Sequence, residues 1–116
     1  YDAEIAANPK NYGAQFNLGK LLMKEGRLAD ATSRFRAAVE ARPDFAEGYL
    51  YLAKALLDAG NLAGAERAAR DGLDRRPAAS IAPLGHYVLA DVYSRLGREN
   101  EAARQVALAR RLEQRR

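Results

Sequence analysis

Few residues in this 116-residue chain could carry covalent chemistry, and those few do not converge in the sequence. His86 is the single histidine, so there is no histidine pair for a metal and no second candidate for a histidine-centred triad. The absence of cysteine removes thiolate nucleophiles, thiolate metal sites and disulfides together. Ser33, Ser80 and Ser94 stand in no Gly-x-Ser-x-Gly setting. Gly13, Gly19 and Gly26 are spread along the chain and form no phosphate-cradling loop. The carboxylates are scattered at helical spacing from arginines, where pairing is the default. The expectation is therefore no enzyme, no catalytic residue, no metal and no cofactor. The chemistry left is recognition by charge and large apolar side chains.

The net charge of +4 bears on that recognition through where it sits. Residues 1–94 balance twelve basic against twelve acidic side chains, whereas residues 95–116 hold seven Arg against three Glu. Arginines near a helix C-terminus complement its dipole, so a solvated helix end is expected there and nucleic acid is not the expected partner. An acidic or nucleic-acid partner for that stretch is the alternative. A hydrophobic fraction of 48% is enough for a folded core, and no apolar run approaches 18 residues, so no membrane-spanning helix is expected. The compartment stays open, since oxidising and reducing surroundings both permit a cysteine-free chain.

The elements that position these groups are set by a repeat. Pro9, Pro43 and Pro77 recur every 34 residues, and Gly26/Gly60, Ala31/Ala65 and Leu18/Leu52 keep the same interval. A third copy places Leu89, Ala90, Gly97 and Ala102 each 37 residues after its counterpart, with Ala78–Ala82 absorbing the difference. Within each unit, apolar residues at helical spacing run to a glycine, resume, and stop at proline. The pattern predicts helices near 11–25, 28–41, 45–59, 62–75, 82–96 and 99–114. Such a period marks units that bury their apolar faces only against their neighbours.

These residues resemble the tetratricopeptide repeat, a 34-residue pattern with Leu at 7, small residues at 8, 20 and 27, an aromatic at 24 and Pro at 32. Counted from Tyr12, the first unit supplies Leu18, Gly19, Ala31, Phe35, Ala38 and Pro43; Ala46 and Pro83 start two further units. The resemblance implies an all-α solenoid, a right-handed superhelix of helix-turn-helix repeats. It divides the chain into the tail of a truncated upstream helix (1–9), repeats at 12–45 and 46–79 (with a short insertion to 82), and a terminal capping repeat at 83–116. Residues 1–9 match the end of a second helix whose pairing helix is missing, so the chain reads as a C-terminal fragment. Position 28 runs Ile5, Val39, Leu73 and then Arg110, the polar exchange expected where a solenoid ends. Val39 and Leu73 are thus expected between repeats, and Arg110 outside.

The resemblance also implies a function: a protein-protein interaction module that holds a peptide or protein segment in a concave groove. First helices line that groove at positions 2, 5, 9 and 12, offsets that share one helical face. Position 5 is Phe16, Leu50 and Tyr87; position 9 is Lys20, Lys54 and Asp91; position 12 includes Met23 and Leu57; Lys24 lies on the same helix as Lys20. Phe16, Leu50 and Tyr87 are expected in an exposed row flanked by lysines, suited to a ligand with bulky apolar and acidic residues. The chaperone-tail clamp of some members is not expected, since Phe16, Lys20, Tyr51, Leu84 and Val88 replace its residues. The alternative is a structural docking or self-association domain attached to an upstream domain, which an enzyme could supply.

Overall fold

The computed structural model describes residues 11–114. Residues 1–9, with Ile5 among them, lie outside the described residues. Six helices follow one another: α1 (Tyr12–Lys24), α2 (Leu28–Ala41), α3 (Ala46–Asp58), α4 (Leu62–Asp74), α5 (Ala82–Arg95) and α6 (Glu99–Gln114). Each expected helix is found with ends within one or two residues, and no strand occurs among the described residues.

Three antiparallel hairpins, α1/α2, α3/α4 and α5/α6, result from one cap used three times. Gly26, Gly60 and Gly97 adopt φ of 81°, 88° and 78°, the left-handed region where a Cβ is penalised. In each cap the amide after the glycine reaches back to close the helix: Arg27 N to Leu22 O, Asn61 N to Leu56 O and Arg98 N to Tyr93 O, at 2.8–2.9 Å. The chain then reverses at once, and the small residues set how close the two helices come. Ala31, Ala38, Ala53, Ala65 and Ala109 are buried between paired helices, and a Cβ on Gly19 would lie 2.7 Å from the Phe35 ring. A larger residue at any of these sites would push the pair apart.

The hairpins stack in order, α2 against α3 and α4 against α5, with α3 also touching α5. Two seams result, one between the first and second hairpins and one between the second and third. The body measures 46 × 29 × 21 Å, longest as expected for units that meet only their neighbours. Val39 is buried in the first seam. Leu73 in the second is half-buried, packed against the core, and Gly85 lets α5 come close to it: a Cβ there would lie 3.0 Å from Leu73 Cδ2. Arg110 is exposed on α6.

Candidate functional site

On the first-helix face of the first seam, aromatic residues fill the space between hairpins. Phe16 on α1 meets Phe45 and Tyr51 edge-on at 5.0 and 5.2 Å between ring centroids, and Phe35 on α2 at 5.7 Å. This packing leaves Phe16 only 6% exposed. Above it, the Lys20 ammonium lies 5.0 Å from the Phe16 centroid and 5.7 Å from that of Tyr51. Ring faces are electron-rich, so two of them hold a cation in place without neutralising it. Lys20 and Lys24 are exposed, and Met23 is half-buried between them and the core.

The second seam uses small residues where the first uses rings. A Cβ on Gly72 or Gly85 would lie 2.6 or 2.8 Å from Leu50 Cδ2, so these glycines make the slot into which Leu50 sinks, with 0% exposure. Tyr87, the next residue at that register, is 38% exposed, because no further hairpin covers it among the described residues. Its hydroxyl donates to Glu113 Oε1 at 2.8 Å, and that carboxylate raises the Tyr87 phenol above its ordinary value. Beside Tyr87, α3 and α5 leave a dent of about 140 Å³ lined by Lys54, Leu57, Leu84, Tyr87, Val88 and Asp91. Lys54 pairs with Asp58 at 2.7 Å and Asp91 with Arg95 at 2.9 Å, so this end is charge-balanced while the Lys20 end is positive.

The expected groove residues therefore separate into two groups. Lys54, Leu57, Tyr87 and Asp91 come together around the dent; Lys20, Met23 and Lys24 lie along α1. The expectation of an exposed row of Phe16, Leu50 and Tyr87 needs correction: Phe16 and Leu50 are covered by the neighbouring hairpin, and only Tyr87 is open. Leu57, at 2% exposure, contributes a floor rather than a projecting anchor. Leu84 and Val88 were not singled out as groove residues. Both stand one turn from Tyr87 or beside it, a spacing that was readable. His86 is half-buried, its Nδ1 2.8 Å from Gln105 Oε1, which ties α5 to α6.

The outer side of the second seam carries a polar network instead of a hollow. Tyr93, 1% exposed, gives its hydroxyl to Glu66 Oε2 at 3.1 Å and accepts from Arg70, while the Arg98 guanidinium stacks 4.6 Å from its ring centroid. Burial, with the Glu66 hydrogen bond, raises the Tyr93 phenol above its ordinary value.

The sequence profile described as Tetratricopeptide repeat matches residues 1–44 and 16–80, well over half of the chain. The chain belongs to the tetratricopeptide repeat family. Tetratricopeptide repeats are protein-interaction scaffolds, generally without enzymatic activity, and their partners are proteins. A crystal structure of MamA superposes on 97% of the chain with a TM-score of 0.87 at 22% identity. A second structure, MamA MSR-1 C2, superposes on 98% with a TM-score of 0.79 at 23% identity. At such identity the likeness bears on the fold, an all-α tetratricopeptide solenoid. The chain spans 64% of the length of each of these proteins. Among curated proteins no sequence matches. No described helix is long and apolar enough to cross a membrane.

Proposed function

We propose that this tetratricopeptide domain holds an extended peptide or protein segment along the first-helix face of α1, α3 and α5. The observation that carries this reading is the dent between α3 and α5, where an exposed Tyr87 ring stands beside an apolar floor formed by Leu57 and Val88. A bulky apolar ligand side chain fits that floor, and acidic ligand residues fit the positive end at Lys20 and Lys24. Phe16 and Leu50 hold the helices that shape the face and do not touch the ligand. Tyr87 is the expected anchor, since large aromatic residues dominate interface energetics. The lysines steer association more than they hold the complex.

Capture of partners by the intact domain, followed by titration calorimetry with the captured segment, tests the reading. Tyr87→Ala is expected to weaken binding by about 1–2 kcal/mol without loss of fold. Lys20→Glu with Lys24→Glu is expected to slow association and reduce its salt dependence. Binding indifferent to all three substitutions, but abolished by changes at Arg104 and Arg111 on α6, would move the site to the basic last helix. Concentration-dependent dimers in sedimentation, blocked by Tyr87→Ala, would instead favour self-association through the same face.

A further inference from the structure

On the opposite face, a hollow of about 360 Å³ opens in the first seam between α2 and α4, with α3 as its floor. Its floor is apolar, from Val39, Leu52, Leu56 and Ala68. The corresponding place in the second seam is filled. There Tyr93 stands at the register of Leu56, and Glu101 stands at the register of Gly64. Glu101 is clipped by Arg98 at 2.6 Å, as Asp30 is by Arg27 at 2.8 Å in the first hairpin. Only the middle hairpin lacks this clip, with Asn61 and Gly64 in its place, and Asn61 caps Gly64 N at 2.9 Å instead. The hollow is therefore specific to one seam, made by two residues smaller than their counterparts.

Its rim is charged in a definite order. α2 contributes Arg36 and Glu40, and α4 contributes Arg67 and Asp71, in each case a base four residues before an acid. That order is the less favourable one for pairing along a helix, and none of the four has an ion pair or side-chain hydrogen bond among the described residues. Both helices bring their C-terminal ends to the start of α3: a Cβ on Gly48 would meet Val39 at 2.9 Å, and one on Gly72 would meet Tyr49 at 3.0 Å. Glu40 and Asp71 thus share the Tyr49 end of the trough, and Arg36 and Arg67 lie about 6 Å back toward Leu56, one helical turn. Arg75, at the acidic end, is engaged with Pro43 O, Asp71 O and the Tyr49 ring. The trough carries two arginines at one end and two carboxylates, with Arg75 beside them, at the other, and is apolar between.

We propose that this trough is a second docking site, for a helical segment of a protein partner carrying an acidic, a bulky apolar and a basic side chain on one stripe. The acid meets Arg36 and Arg67, the base meets Glu40 and Asp71, and the apolar side chain covers Leu52 and Leu56. Parallel helices flanking a third give a trough that follows a partner helix, and the four unpaired charges select its charge order. Occupancy here leaves the first-helix face free, so two partners can be held at once.

The test uses fluorescein-labelled, hydrocarbon-stapled peptides with Glu, Leu and Arg at positions i, i+3 and i+7, read by anisotropy against the whole chain. Saturable binding is expected, at least tenfold weaker when the peptide Leu is Ser. Asn61→Arg with Gly64→Glu installs the clip of the other two hairpins and is expected to weaken binding at least tenfold. Arg36→Glu with Arg67→Glu, on exposed positions that leave folding intact, is expected to reverse preference toward a peptide with Arg at both ends. Thermal melts confirm that each variant is folded. No saturable binding, equal binding of the Ser peptide, or binding unmoved by both double variants would overturn the proposal. Binding lost with Lys54→Glu and kept in the clipped variant would place the peptide on the other face and also overturn it.

Discussion

The two seams of this solenoid solve one packing problem in opposite ways. In the first, rings fill the first-helix side, Phe16 against Phe45 and Tyr51, and the second-helix side is left open over Leu52 and Leu56. In the second, Tyr93 and its network with Glu66, Arg70 and Arg98 fill the second-helix side, and the first-helix side is left open beside Tyr87. A repeat fold fixes the helix spacing through its small residues, so large side chains are free to vary between copies. Where a large residue sits decides which face of each seam is closed and which can receive a partner. The same backbone unit thus offers different surfaces at successive joints.

The largest expected effects come from breaking each seam on its closed side. Phe16→Ala is expected to cost about 3–5 kcal/mol and Leu50→Ala about 2–5 kcal/mol, because both leave cavities that rigid helices cannot collapse. Urea denaturation measures both. A melt of Leu50→Ala close to that of the unsubstituted chain would mean that the side chain is open after all. It would restore the exposed row along the groove. Next in size, Ala31→Leu and Ala65→Leu are expected to cost about 1–3 kcal/mol by overpacking inside the hairpins, which the seams share as a common scaffold. If either were neutral, hairpin spacing would not be fixed by these alanines, and the contrast between seams would need another origin.

This contrast also separates what the sequence disclosed from what it did not. Helix ends were legible because Gly26, Gly60 and Gly97 recur at the same place, and the left-handed turn they allow leaves little freedom in where a helix stops. Periodicity likewise told which face of α3 carries Leu50. It did not tell that Gly72 and Gly85 open a slot for that side chain, since the slot depends on three helices at once. The burial of Phe16 is hidden from the sequence for the same reason: its cover, Phe45 and Tyr51, belongs to the next hairpin. The open outer trough had a readable signal, the smaller Leu56 and Gly64 at registers where the last hairpin has Tyr93 and Glu101. Reading it required knowing that those registers face the preceding hairpin across a seam.

Smaller effects sharpen the difference on the outer side. Tyr93→Phe keeps the ring that fills the second seam and removes only its hydroxyl bonds to Glu66 and Arg70. The expected loss is about 0.5–1.5 kcal/mol, the ordinary net worth of a buried hydrogen bond. A loss as large as that of Leu50→Ala would show that the polar network, rather than ring packing, closes this seam.

The smallest expected effect concerns the clip that edges the second seam and is missing from the middle hairpin. Arg98 donates two short hydrogen bonds, of 2.7 and 2.6 Å, to the Glu101 carboxylate. These bonds hold the carboxyl below its ordinary value of 4.5, and burial opposes them only in part. A depressed folded-state value means that the unfolded chain binds this proton more readily than the folded one. The stabilisation is therefore complete above about pH 4.5, where the carboxyl is ionised in both states, and is lost as pH falls through the folded value. Both side chains are part-exposed, at 44% and 37%, so solvent and salt screen the pair and the effect stays small. Denaturation curves at pH 7 and pH 3 should show a slightly smaller drop for Glu101→Gln than for the unsubstituted chain. In 1 M salt, where screening acts over about 3 Å, that difference should shrink. Equal drops at low salt would mean the clip adds nothing to stability. Its role at the seam would then be to occupy space, which is what Gly64 leaves open one hairpin earlier.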